Sequence, residues 1–319
     1  KIPNRMMRTI LMDIREHYLE SYFHNFQHAF TVTLIAFTML SSCRGLRKVM
    51  HEPIVRFSLL MAAMCHDINH PGNNNEFEVK SHSRLAILYN DTSVLEHYHC
   101  TVTFELLIEH GLDELFAEQD EGEVLWDEFR QIVVQAILAT DMKKHQQLQK
   151  RLLEAIRDPG LFSPAEWVTY VLHTADLGNL TLDWDIALEW ENRIFREFKS
   201  QARKEEAQGL DVAPYMLKMN LTARGRVQAG FIDFVLCPWW ESMAQLLPEL
   251  QDRVFTLHTS RKKYAIYLRE NDRRSSIDGA GDVNRRKGSY GDVSASSGGR
   301  IPPSLPPTHR QGMPPKPSK

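Results

Sequence analysis

Three features of the sequence predict an all-α fold. Apolar residues recur at helical spacing, a Ser-Pro-Ala-Glu helix start stands ahead of an apolar run, and the alternating Val/Thr/Tyr runs and Asn-Gly turns of hairpins are missing. The stretch "RMMRTILMDIREHYLE" carries its apolar residues on one helical stripe. In "RQIVVQAILATD", Ile132, Val133, Ala136 and Ile137 share a face, which favours helix over buried strand. "SPAEW" places Ser163 as a cap, Pro164 in the first turn and Glu166 at the third position, where it can reach back to the cap. Pro238, inside "FVLCPWWESM", should kink or interrupt a long helix.

The chain has 319 residues, 43% of them hydrophobic, enough for a substantial core. No apolar run reaches the roughly 18 residues that a membrane helix needs. Four dispersed cysteines without a CxxC spacing, two of them in apolar runs, fit small buried hydrophobes in a reducing compartment and suggest a cytoplasmic protein. The net charge is −3, but from Arg273 onward nine Lys/Arg face three Asp/Glu, so the body is acidic. An acidic body excludes a nucleic-acid-coating surface. Residues 271–319, rich in Ser, Gly, Pro and Arg, should form a disordered tail behind a single domain over 1–270. Within that tail "RRSS" could accept a phosphate from a kinase, and "PPSLPP" could form a polyproline ligand of the SH3 type.

Three apolar runs end alike. "VRFSLLMAAMC" runs into His66, Asp67 and then His70. "QIVVQAILA" runs into Thr140 and Asp141, and "AEWVTYVL" into His173, Thr174 and Asp176. A buried carboxylate without a partner is costly, so each helix end needs a cation or hydrogen bonds. With His24 and His28 one turn apart in "SYFHNFQHAF", these ends predict a metal centre. No HExxH is present, which excludes a zincin protease, and the Glu plus Glu-x-x-His pattern of a di-iron bundle is not evident. Imidazoles with carboxylates suit Zn²⁺ or another transition ion, whereas carboxylate and water suit Mg²⁺ or Mn²⁺.

The motifs "FHNFQHA", "HDINHPGNNN", "YNDTSVLE", "LATDMKKH", "HTADLGN" and "QAGFIDF" stand in the order found in class I cyclic nucleotide phosphodiesterases, and the chain resembles that family over residues 1–270. The resemblance implies a compact, multi-helix, HD-type catalytic domain that hydrolyses 3′,5′-cyclic AMP or GMP to the 5′-monophosphate. It implies His28, His66, Asp67 and Asp176 as zinc ligands, with Asp67 also reaching a magnesium or manganese ion. His70, Glu96, Thr140 and Asp141 would hold that ion's waters. His24 would be the general acid, oriented by Glu197. Gln228 would hydrogen-bond the purine edge, Phe231 and Ile194 would sandwich the ring, and Asn75, Asn179, Trp190 and Phe198 would line the pocket. Family domains carry further helices before the point where this chain begins, so the first helices are expected to be missing.

Two positions depart from the family pattern. Phe23 stands where the family usually has Tyr, and Tyr98 stands where an imidazole is common. Asn179 gives a lean toward cyclic AMP. The rival readings are another HD-type phosphohydrolase acting on a nucleotide monoester and a catalytically silent cyclic-nucleotide sensor.

Overall fold

In the computed structural model the described residues are 2–118, 122–158, 160–216 and 221–286, and they fold into fifteen α-helices with no strand among them. The first seven are α1 (Asn4–His17), α2 (Phe26–Ser42), α3 (Arg44–Val49), α4 (Pro53–Cys65), α5 (Asn75–Lys80), α6 (Arg84–Leu88) and α7 (Val94–Glu109). There follow α8 (Leu112–Ala117), α9 (Gly122–Leu138), α10 (His145–Arg157), α11 (Pro164–Asp176) and α12 (Trp184–Gln208). The last three are α13 (Leu221–Phe231), α14 (Cys237–Leu246) and α15 (Gln251–Arg286). The helices up to Arg273 belong to one compact unit.

At the centre α4 packs against α9, α2 and α11, while α11 packs against α9 and α2. The stripe Ile132, Val133, Ala136 and Ile137 faces inward on α9 as its spacing requires. α11 is buried on all sides from Trp167 to Ala175 and so reads as a continuous apolar run. It starts with a full capping box: the Ser163 hydroxyl accepts from Glu166 N, and the Glu166 carboxylate accepts from Ser163 N. All four cysteines are free, with Cys43, Cys65 and Cys100 buried and Cys237 half-buried.

Pro238 interrupts its helix in a definite way. Residues Ile232–Leu236 form a π-helical turn, and Pro238 then sits in the first turn of α14. Proline has no N–H to give and its ring crowds the carbonyl four residues back, so a widened turn ahead of it relieves both demands. Gly178 answers a different demand, a close approach. A Cβ there would stand 2.7 Å from Ile35 Cδ1 and 2.8 Å from Ala175 O, so the turn after α11 can settle on α2 only because that position has no side chain.

α15 runs on to Arg286, past residue 270. Adding turns to a helix already nucleated by packed residues costs far less than starting one. "RRSS" therefore falls within a helix, while "PPSLPP" lies outside the described residues. Among the described residues no helix is long and apolar enough to cross a membrane.

Gly178→Ala should destabilise the fold by about 1–3 kcal/mol through overpacking between α11 and α2. Urea unfolding of the two proteins measures it, and equal midpoints would show that the contact relaxes freely.

Candidate metal centre and adjoining cavity

The central helices deliver polar residues to a single point because their ends converge. Asn25 caps α2 and accepts from Gln27 N and His28 N, which fixes His28 in the first turn. His66 and Asp67 leave the end of α4, and Asp176 is the last residue of α11. Their donor atoms form a tight cage. His28 Nε2 lies 3.1 Å from Asp176 Oδ1 and 3.4 Å from Asp67 Oδ2. His66 Nε2 lies 3.2 Å from Asp67 Oδ2, 3.3 Å from Asp176 Oδ1 and 3.3 Å from His28 Nε2. Donors sharing one cation at about 2.0–2.3 Å stand about 3–3.7 Å apart, so the cage has the dimensions of a single-ion site.

The far ring nitrogens explain why these imidazoles offer Nε2. His66 Nδ1 donates to Ala63 O at 2.9 Å, which turns its Nε2 toward the two carboxylates. His28 Nδ1 lies 3.4 Å from the Asn179 amide nitrogen, while Asn179 Oδ1 is buried without a partner. Turning that amide over lets Oδ1 accept the Nδ1 proton and frees His28 Nε2 in the same way. Both carboxylates are held well below the usual range: burial alone would raise them, and the facing His66 outweighs it.

A second group adjoins the first. Asp67, His70 and His99 also bring one donor atom each within 4.8 Å of the others. Asp67 thus faces both groups, Oδ2 toward His28 and His66 and Oδ1 toward His99 Nε2 at 3.8 Å. His70 Nδ1 accepts from Gly72 N at 3.0 Å, so in the neutral ring Nε2 carries the proton. That contact uses the left-handed backbone of Gly72 (φ 72°). His99 donates Nδ1–H to Ile68 O at 2.6 Å, and burial lowers its pKa to about 4.

Around this second group, Glu96 is raised to about 7 by burial and then by the Asp141 charge. Asp141 itself accepts from Ser93 Oγ at 2.8 Å and Lys143 N at 2.9 Å, and Thr140 Oγ1 donates to Ile137 O at 2.8 Å.

His24 stands beside the cage and is built differently. Its Nδ1 pairs with Glu197 Oε1 on α12, while Glu197 Oε2 accepts from Phe23 N at 2.7 Å and His24 N at 3.2 Å. The ring stacks on His70 at 4.0 Å. Burial alone would lower the His24 pKa, but Glu197, Asp67 and Asp176 together raise it to about 9. In turn burial would raise Glu197, and the His24 charge brings it down to about 2.

A cavity of about 410 Å³ opens beside these residues. His24 and Asp176 line it together with Gln228 and Phe231 of α13, Ile194, Trp190 and Phe198 of α12, and Asn179. Asn75 is the residue placed elsewhere. It is not among the cavity's lining, because its amide nitrogen donates to both Glu96 oxygens, at 3.1 and 2.9 Å, and its Oδ1 accepts from Leu95 N. Phe23, which departs from the Tyr usual in the family, fills the wall against Trp190 with ring centroids 5.4 Å apart. The Tyr98 hydroxyl accepts from Asn69, whose positive φ (59°) sets up the turn to His70.

His99, Met142 and Tyr215 are contributors that the sequence reading missed. His99 had a signal, standing three residues after Glu96 and hence on the same face of α7. Met142 and Tyr215 had none beyond ordinary apolar character.

A family model described as 3′5′-cyclic nucleotide phosphodiesterase matches residues 23–257. The chain belongs to that family. It is 35% identical over 274 residues to the 3′,5′-cyclic-nucleotide phosphodiesterase regA of Dictyostelium discoideum, covering 84% of this chain and 34% of that protein. It is 31% identical to the high affinity cGMP-specific 3′,5′-cyclic phosphodiesterase 9A of Mus musculus, covering 81% of this chain and 48% of that one. It is 33% identical to the probable 3′,5′-cyclic-AMP phosphodiesterase pde-4 of Caenorhabditis elegans, covering 83% and 40%. The chain thus spans between a third and a half of the length of these curated relatives. Among solved structures, the phosphodiesterase domain of the RhoPDE fusion protein from the choanoflagellate Salpingoeca rosetta matches with a TM-score of 0.79 and 29% identity, over 85% of this chain and 86% of that one.

The His24–Glu197 pair makes stability depend on pH in two limbs. Glu197 is depressed from 4.5 to about 2, so its contribution is present above pH 4.5 and is lost as pH falls toward 2. His24 is raised from 6.5 to about 9, so its contribution is full below pH 6.5 and is lost as pH rises through 9. In Glu197→Gln the His24 ring should titrate at lower pH, as followed by NMR of its ring protons. An unmoved midpoint would show that Glu197 does not hold that proton.

Proposed function

We propose that this phosphodiesterase-family domain hydrolyses 3′,5′-cyclic nucleotides to 5′-monophosphates. The observation that carries this is the single cavity lined at once by His24 and Asp176 and by Gln228 and Phe231. A purine held at Gln228 would thereby be joined through its ribose to a phosphate lying against the cage.

His28, His66, Asp67 and Asp176 would hold zinc, since a mixed imidazole and carboxylate set suits that ion. Asp67 Oδ1 would serve a magnesium or manganese ion, with His70, Glu96, Thr140 and Asp141 steadying its waters. Bound there, the two cations would make a water nucleophilic near neutral pH and draw charge from the phosphoryl oxygens. The protein's own part is positioning and proton supply. With Nδ1 committed to Glu197, His24 presents Nε2–H to the cavity. As the bond from phosphorus to O3′ breaks, that proton passes to O3′, and Glu197 stabilises the imidazolium until it has left. Phe231 and Ile194 would clasp the purine faces, while Trp190, Phe198 and Asn179 shape the remaining wall.

The relatives include proteins named for cyclic GMP and for cyclic AMP at similar identities, so overall similarity favours neither base. A glutamine amide can present donor and acceptor in either order, which leaves Gln228 suited to both edges. Asn179 bonds toward His28, which weakens its use as a reader of the base.

His24→Ala should lower kcat about 100-fold to 10,000-fold while bound zinc stays near the wild-type level. Loss of the metal in that variant would end the separation between proton donor and cage. For the function itself, kcat/KM on cyclic AMP, cyclic GMP and nucleoside monophosphates, with Mg²⁺ present, should show turnover of cyclic substrates alone. Turnover confined to monoesters would favour a different HD-type phosphohydrolase, and bound metal without any turnover would favour a sensor.

A further inference from the structure

Away from the cavity, α14 and α15 bring three metal-ligating side chains together. Cys237 Sγ, a Glu241 carboxylate oxygen and a His258 ring nitrogen all lie within 4.8 Å of one another. Glu241 Oε1 and His258 Nε2 are already 2.9 Å apart. Cys237 and Glu241 stand one turn apart on α14, and His258 approaches from α15. One turn before Cys237, Asp233 is engaged by Arg261 through two bonds of 2.7 Å. That guanidinium is therefore committed to Asp233 rather than to the Cys237–Glu241 pair.

We propose that Cys237, Glu241 and His258 form a binding site for one thiophilic divalent cation of the zinc class, which clips α15 to α14. The donor set of sulfur, imidazole nitrogen and carboxylate oxygen is a zinc set, and three protein ligands leave a fourth position for water. Donors around a tetrahedral zinc stand about 3.3–3.8 Å apart. Glu241 and His258 side chains are each 48% exposed and so have room to close the remaining distance. Their exposure also gives an ion a path in from solvent.

Charge favours the same occupant. Burial, Glu241 and Asp233 together push the Cys237 thiol up to about 11, against the opposing charge of Arg261, so the sulfur keeps its proton. A divalent ion takes that proton's place: the metal–sulfur bond forms, the S–H bond breaks, and one proton is released to solvent. Leu236, the residue before Cys237, lines the cavity, yet none of the three ligands does. The site is thus adjacent to the pocket wall without belonging to it.

Cobalt titration of the full chain, with one equivalent of zinc added first to fill the active-site cage, tests the proposal. The cage has no sulfur donor, and the other three cysteines are buried and belong to no ligand group among the described residues. A sulfur-to-cobalt charge-transfer band should therefore grow to one equivalent and vanish in Cys237→Ser. His258→Ala and Glu241→Gln, both at half-exposed positions, should weaken cobalt binding at least about tenfold, and they keep the test readable if Cys237→Ser fails to fold. In parallel, zinc at about ten times its dissociation constant should slow alkylation of Cys237 about tenfold, because only the unliganded fraction reacts. No charge-transfer band in the wild type, a band unchanged in Cys237→Ser, affinity unchanged in the other two variants, or alkylation indifferent to zinc would each overturn the site.

Discussion

Two carboxylates, Asp67 and Asp176, stand against two imidazoles in the interior of the helical core, and the rest of the molecule is arranged around the cost of keeping them there. Left alone, buried carboxylates would take up protons or unfold their surroundings. Here each faces His28 and His66 at 3.1–3.4 Å. The four residues come from α2, the end of α4 and the end of α11, three helices that pack on one another. The apolar packing therefore determines the cage dimensions, and the cage explains why such apolar helices end in charged residues.

Much of this was legible in the sequence, for reasons that differ by element. The α11 start was readable because a capping box is local: Ser163 and Glu166 satisfy one another within a single turn. The cage was readable because charged residues at the ends of apolar runs are improbable without a partner. The resemblance to phosphodiesterases then narrowed which of them meet. What escaped was whatever depends on distant geometry or on a competing partner. Asn75 has the side chain to line a pocket, but Glu96 and Leu95 N consume its hydrogen bonds.

His24, just ahead of α2, and His28, in its first turn, meet different partners at their second nitrogens. His24 gives Nδ1 to a carboxylate, Glu197, so its other nitrogen keeps a proton and the ring is stabilised in the charged form. His28 meets only the Asn179 amide at Nδ1, which is neutral, so its Nε2 stays a bare donor facing Asp67 and Asp176. A carboxylate behind an imidazole lets the ring hold its proton to higher pH. An amide or a backbone carbonyl, as behind His66, favours offering a lone pair.

The same logic gives Asn179 a structural task that competes with any role in reading a base. Its Oδ1 has no partner in one amide orientation, and the cost of an orphaned buried acceptor is removed only when it receives the His28 proton. An amide held in that orientation has only its nitrogen left for the cavity, which can donate but not accept. Discrimination between purines would then fall to Gln228 and the shape of the walls around it. Asn179 acts on the far ring nitrogen of His28, and Gln228 on α13 lines the cavity.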